Sequence, residues 1–226
     1  VSKLKPQLFF PLLLLAASLA CSAVGKYLPP PVTILAAPAE SASWDAAGLQ
    51  KASDIIGERL KEKAAGKYAV KITKNNQISV ELYDSVDLDV AQKLITEPGV
   101  ILFIDSLDAY SLGDEVKIDD KTKVVLTQVN IHSAEASALD ASDQYQIAFT
   151  LNPDGTKKLA QYTSENVGHF LAILRDGRVV SCPRVTGEIT GGEGIISGTF
   201  QEAEDFAFLL THPPLPFPLA VVKVNK

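Results

Sequence analysis

The spacing of apolar positions changes along the chain, and each change marks an element. Leu8 to Ala20 run apolar without a charge, behind Lys3 and Lys5. Gly25 to Pro31 follow as a linker, stiffened by Pro29-Pro30-Pro31. Val32 to Ala36 predict a strand. Between Asp45 and Lys63, Ala52, Ile55, Ile56 and Leu60 share one helical face with charges opposite. Tyr68, Val70 and Ile72 then alternate with polar residues, Lys74-Asn75-Asn76 turn the chain, and Ile78, Val80 and Leu82 alternate again; this reads as a hairpin. Asp87 caps a short helix carrying Val90, Ala91, Leu94 and Ile95, which Pro98-Gly99 stops. Val100 to Ile104 predict a continuous apolar strand. The order predicts an α+β fold of ferredoxin-like plan, βαββαβ, with two helices on one face of an antiparallel sheet. Many unrelated proteins share that plan, so it names no function.

Ser106 to Lys123 read as a polar, acidic connector. A second unit follows. Gln144 to Leu151 predict a strand with Tyr145, Ile147 and Phe149 on one face. Asn152-Pro153-Asp154 then open a helix that runs to about Asn166, because Asn152 accepts from free amides and proline suits the first turn. Phe170–Leu174 and Arg178–Ser181 form a hairpin about Asp176-Gly177. A glycine-rich stretch runs from Gly187 to Gly198, with turn or hinge read at Gly191-Gly192-Glu193-Gly194. It leads to a helix at Thr199, where Thr199 and Glu202 have capping-box spacing. Pro213, Pro214, Pro216 and Pro218 force an extended path into a last strand, Leu219–Val224.

The bulk composition changes this picture little. With 226 residues, 46% of them hydrophobic, the chain can bury a core without staples. Its net charge is −6, which disfavours nucleic acid and anionic membrane surfaces as partners. The N-terminal segment reads as an export signal ending at the small residues Ser18 and Ala20. Cys21 stands where a bacterial lipoprotein carries its acylated cysteine. Cleavage with lipid on Cys21, cleavage without lipid, and a retained anchor are all compatible with the pattern. Each leaves the rest of the chain extracytoplasmic, tethered through its N-terminus or secreted. Cys182 is the only thiol of the folded part.

The chemistry-bearing residues point away from catalysis. Gly191-Gly192-Glu193-Gly194 lack the lysine of a phosphate loop, and Glu193 repels phosphate. Cys182 and His169 make a nucleophile and base only on paper, for no third group orients them. His132, His169 and His212 are too dispersed for zinc, and Asp114-Glu115 with Asp119-Asp120 lack calcium-loop spacing. Phe206 lies on a core stripe with Ala203 and Leu210, while Phe200 and Phe208 are candidates for a peptide-binding face. No catalytic, metal or cofactor-binding residue is assigned, and no cofactor is expected.

"FTLNPDGTKKLAQYTSENVGHFLAILRDGRVVSCPRV" and "ITGGEGIISGTFQEAEDFAFLL" resemble the strand, N-x-x-G helix, E-N-V-G and G-G-x-G-x-I-x-G-x-F segments of the SecD protein-export subunits. "PLPFPLAVVKV" is similar to their return strand, and "ASDIIGERLKEKAAGKYAVKITKNNQISVEL" is similar more loosely. The resemblance is to the first extracytoplasmic (P1) domain and implies a ferredoxin-like base with a head inserted before the last strand. Its boundaries are expected at 1–24 for the signal or anchor, 25–122 for the base with linker, 123–212 for the head and 213–226 for the return strand. It also implies a non-catalytic domain that binds translocating or unfolded polypeptide beside the Sec translocon. The alternative is an envelope interaction lipoprotein of the same fold with another protein partner. There are departures from the family. Its D-L-Q-G-G stretch is missing, Cys182 replaces an alanine, and Thr211-His212-Pro213-Pro214 replace an arginine-rich exit. The family's membrane bundle has no counterpart here, so the chain is not expected to be a proton-driven motor by itself. Crossings between base and head are expected near Ser106–Lys123 and Thr211–Pro218, with few buried contacts, so that the head pivots.

Overall fold

The structure, a computed structural model, describes residues 31–63, 66–83, 87–139, 144–198 and 203–225. The expectations for the N-terminal segment with Cys21, and for Thr199, Phe200 and Glu202, lie outside these residues. In chain order the described elements are β1 (Val32–Pro38), α1 (Ala46–Lys63), β2 (Tyr68–Ile72), β3 (Ile78–Leu82), α2 (Leu88–Thr96) and β4 (Ile101–Ser106). Then come β5 (Val124–Thr127), β6 (Ile131–Ala138), β7 (Tyr145–Leu151), α3 (Pro153–Glu165), β8 (Phe170–Arg175), β9 (Arg178–Ser181), β10 (Glu193–Gly198), α4 (Ala203–Thr211) and β11 (Leu219–Asn225).

Three antiparallel sheets result, so the fold is α+β as expected. The base sheet has the order β11-β1-β3-β2. On it, α1 and α2 bury Leu49, Ile56, Leu60 and Ile95 against Ile34, Ile78 and Val80. The head holds the sheets β5-β4-β8-β9 and β10-β7-β6. Their facing sides, with Leu159 and Tyr162 of α3 and Phe206 and Leu210 of α4, enclose the largest core.

One expectation is overturned here. Val100–Ile104 does not close the base sheet: β4 pairs with β5 and β8 inside the head, and β11 takes the fourth place beside β1. The reason is burial on two faces. Ile101 and Phe103 enter the main head core, whereas Leu102 and Ile104 join Ala172, Leu174 and Val179 on the reverse side. A continuous apolar run needs cover on both faces, and in the base α1 and α2 pack on one. Residues 107–122, assigned above to the base, belong with the head for the same reason. Tyr110 and Val116 cover that reverse side, and the amides of Gly113 and Val116 donate to the carbonyls of Val179 and Gly177, both at 2.8 Å.

Local chemistry explains where the elements start and turn. Asn152 Oδ1 accepts from the Gly155 amide at 2.8 Å, and Pro153 opens α3. Asp87 caps α2 through the Asp89 amide at 2.9 Å. Asp176 and Gly177, at φ 50° and 82°, make the two-residue turn of the β8–β9 hairpin. β10 lies within the glycine-rich stretch, and its first two residues fall in the cluster read as turn or hinge. It pairs along β7, and Gly194 is required there because a Cβ would overlap the Phe149 ring opposite. That glycine content hid the strand.

Candidate functional site: the head–base junction and the open head strand

The chain enters the head through Glu97–Val100 and leaves it through His212–Pro218. Two buried side chains tie these crossings. Arg59, only 1% exposed, rises from α1 and donates to the carbonyls of Glu97 at 2.6 Å and Pro98 at 3.1 Å. It also reaches Leu94 O at 3.3 Å and Pro213 O at 3.4 Å, so it holds both crossings. From the head, Gln128 accepts from the Ile101 amide at 3.0 Å and donates to the carbonyls of Gly99 at 2.5 Å and Leu209 and His212 at 3.1 Å. The Leu215 amide joins the crossings directly, donating to Pro98 O at 2.9 Å. Irregular backbone buried at a junction needs such donors and acceptors, because no helix or strand satisfies it. Burial lowers the Arg59 pKa from its ordinary value, against the opposing charges of Glu97 and Asp176. The entry crossing therefore lies earlier than Ser106–Lys123. The two crossings are tied, contrary to the expectation of few buried contacts.

Beside this junction lies a cavity of about 300 Å³ between α2 and α4. Its apolar walls are Val90, Leu94, Phe208 and Leu209, and Arg59 also lines it. At the rim Asp205 of α4 meets Lys93 at 3.0 Å and Lys63 at 3.3 Å. Burial alone would raise the Asp205 pKa; the two lysines outweigh it and hold the carboxyl below its ordinary value. His212 stacks on Phe208 at 3.8 Å between ring centroids and meets Glu62 at 3.2 Å.

On the far side of the head, β6 is the edge of its sheet, pairing with β7 on one side only among the described residues. Its inward positions are Ala134 and Ala136, small enough for α4 to lie close beneath. The register aligns Ser133, Thr150 and Glu193, and beside them Glu135, Ala148 and Ile195, on the outer face. These residues line a shallow groove in which Ile195 is 64% exposed. No lysine or proline blunts β6, and natural edges are commonly protected that way.

The residues that sequence alone made candidates fall at several places in the fold. His169 Nδ1 lies 2.9 Å from Asp105 Oδ1, which also accepts from the Tyr162 hydroxyl at 2.8 Å. Burial would raise the Asp105 pKa, but these bonds and the charge of Lys123 hold it below its ordinary value. Cys182 lies in the reverse-side cluster, where its Sγ accepts from the Tyr110 amide at 3.5 Å. His132 sits on β6 and His212 at the junction. Asp114 and Asp119 accept from local amides, those of Ser111 and Lys121, and shape turns. Phe206 is core, as expected, and Phe208 lines the junction cavity. Arg59 was missed, although its place on the Ile55–Ile56–Leu60 face of α1 was a legible anomaly. Gln128 carried no such signal.

An antiparallel base interrupted before its last strand by a two-sheet head defines the class of this domain. The profile of the SecDF P1 head subdomain matches residues 108–217. The chain is 32% identical to the protein translocase subunit SecD of Acidaminococcus fermentans over 177 residues, covering 77% of this chain and 39% of that protein. It is 29% identical to Thermus thermophilus SecDF over 218 residues, covering 85% of this chain and 29% of the relative. A solved structure of SecDF, a membrane component that enhances protein export, superposes with a TM-score of 0.71 at 25% identity, covering 86% of this chain and 99% of that one. SecDF in its super-membrane-facing form gives 0.73 at 25% identity, covering 87% and 30%. The chain belongs to the SecD/SecDF family, as its P1 domain. It spans well under half the length of the curated relatives it matches. Among the described residues no helix is long and apolar enough to cross a membrane.

Proposed function

We propose that this domain acts outside the cytoplasm as an accessory of Sec-dependent protein export, holding extended polypeptide on its head. The observation that carries the reading is β6, an eight-residue edge strand without lysine or proline, paired on one side only among the described residues. A strand edge offers main-chain donors and acceptors, and pairing through them tolerates many sequences because side chains are not read. The outer face beside it carries Ser133, Thr150, Ala148 and Ile195, which accept varied side chains, with Glu135 and Glu193 disfavouring acidic ones. Family membership supports the export setting, with unfolded chains and Sec components as partners. Affinity is expected at about micromolar or weaker, since a held chain must be released. Titrating the protein with an unfolded exported chain and with its folded form, while following amide signals by NMR, tests the reading. Shifts on β6 and β7 with the unfolded form alone support it. Equal response to both forms, or shifts confined to the base sheet, would refute it.

A further inference from the structure

We infer that the junction cavity is a side-chain pocket, in which one large apolar residue of the held polypeptide wedges between α2 of the base and α4 of the head. This rests on the polypeptide-holding reading above and adds a second contact, at a different place from the β6 edge.

Two observations select the occupant. The walls, Val90, Leu94, Phe208 and Leu209, are apolar, and about 300 Å³ accommodates a leucine or phenylalanine side chain with room for its backbone at the mouth. The charged groups lining the cavity balance, with Arg59, Lys63 and Lys93 against Asp89, Glu97 and Asp205. No net field therefore favours an ionic ligand of either sign, and an uncharged apolar group fits best.

The pocket is built from both parts of the fold, Val90 and Leu94 on α2 and Phe208 and Leu209 on α4. Its occupant touches base and head together, so binding there fixes their mutual position. The Lys63–Asp205–Lys93 cluster bridges the same two parts at the rim.

The experiment uses the full chain and two capped, uncharged, extended peptides that differ only by Leu→Ala at one central position. Val90 is 42% exposed at the cavity lip, so Val90→Trp fills the pocket without disturbing the core. The leucine peptide is expected to bind the wild type about tenfold or more tightly than the alanine peptide. Val90→Trp is expected to erase that preference between the two peptides. The Arg59 Nε–Hε signal in a nitrogen-15 NMR spectrum should shift with the leucine peptide and stay in place in Val90→Trp. Wild-type binding that ignores both the Leu→Ala change and Val90→Trp overturns this inference alone. Failure of the wild type to bind either peptide or an unfolded exported chain overturns the polypeptide-holding reading as well.

Discussion

Replacing Arg59 by methionine removes the side chain that holds both crossings, and the structure sets opposing terms for the outcome. A hydrogen bond from a charged donor contributes about 1.5–3 kcal/mol. Arg59 makes two of good length, to Glu97 O and Pro98 O, and two longer contacts. Against this stands the cost of burying a guanidinium, which hydrophobic replacement relieves and which has made some buried charges dispensable. The balance turns on what the replacement leaves behind. Methionine fills a similar volume but strands the Glu97 carbonyl, at about 1–3 kcal/mol when buried without a donor, and leaves Pro98 O with the Leu215 amide alone. Arg59→Met is therefore expected to lose about 2–4 kcal/mol. With a urea dependence of about 2 kcal/mol per molar, the midpoint falls by roughly 1–2 M. The single tryptophan, Trp44, lies ahead of α1 and reports the base by fluorescence, with circular dichroism following the whole fold. Hydrogen exchange of the Leu215 amide, bonded to Pro98 O, should quicken in the variant. A midpoint within about 0.5 M of the wild type would show that the Glu97 carbonyl finds another donor, and the account of Arg59 as the tie would fail.

Two further predictions concern the head. The Asp105 carboxyl is held below its ordinary value, so its contribution to stability is full above about pH 4 and is lost as pH falls through its folded value. Asp105→Asn should be less stable than the wild type at pH 7 and should show a smaller further loss at pH 3, read from urea midpoints at both pH values; equal losses on acidification would contradict the assignment. Cys182→Ala should keep the fold and polypeptide binding at a cost of about 1 kcal/mol, since the thiol is a half-buried packing group bonded to the Tyr110 amide. Lost binding with unchanged stability would instead indicate a reactive thiol.

What the sequence determined by itself is whatever depends on neighbours a few residues apart. The helical face of Ala52, Ile55, Ile56 and Leu60, the caps at Asp87 and Asn152 and the turn at Asp176-Gly177 are local matters, and the structure agrees with each. The motifs of the last eighty or so residues also carried the family. Strand partnership was not legible, because an apolar run such as Val100–Ile104 says that it will be buried without saying against what. That segment went to the head, where both faces are covered, and Leu219–Asn225 came from more than a hundred residues away to complete the base. Strand β10 was hidden because its glycines look like a turn until Phe149 is seen lying over Gly194. The junction belongs wholly to tertiary structure. Arg59 stands some 40 positions before one crossing and more than 150 before the other, and Gln128 meets carbonyls from both. Buried donors are matched to acceptors only when the chain has closed on itself, so neither the ties nor the cavity beside them exists at the level of sequence.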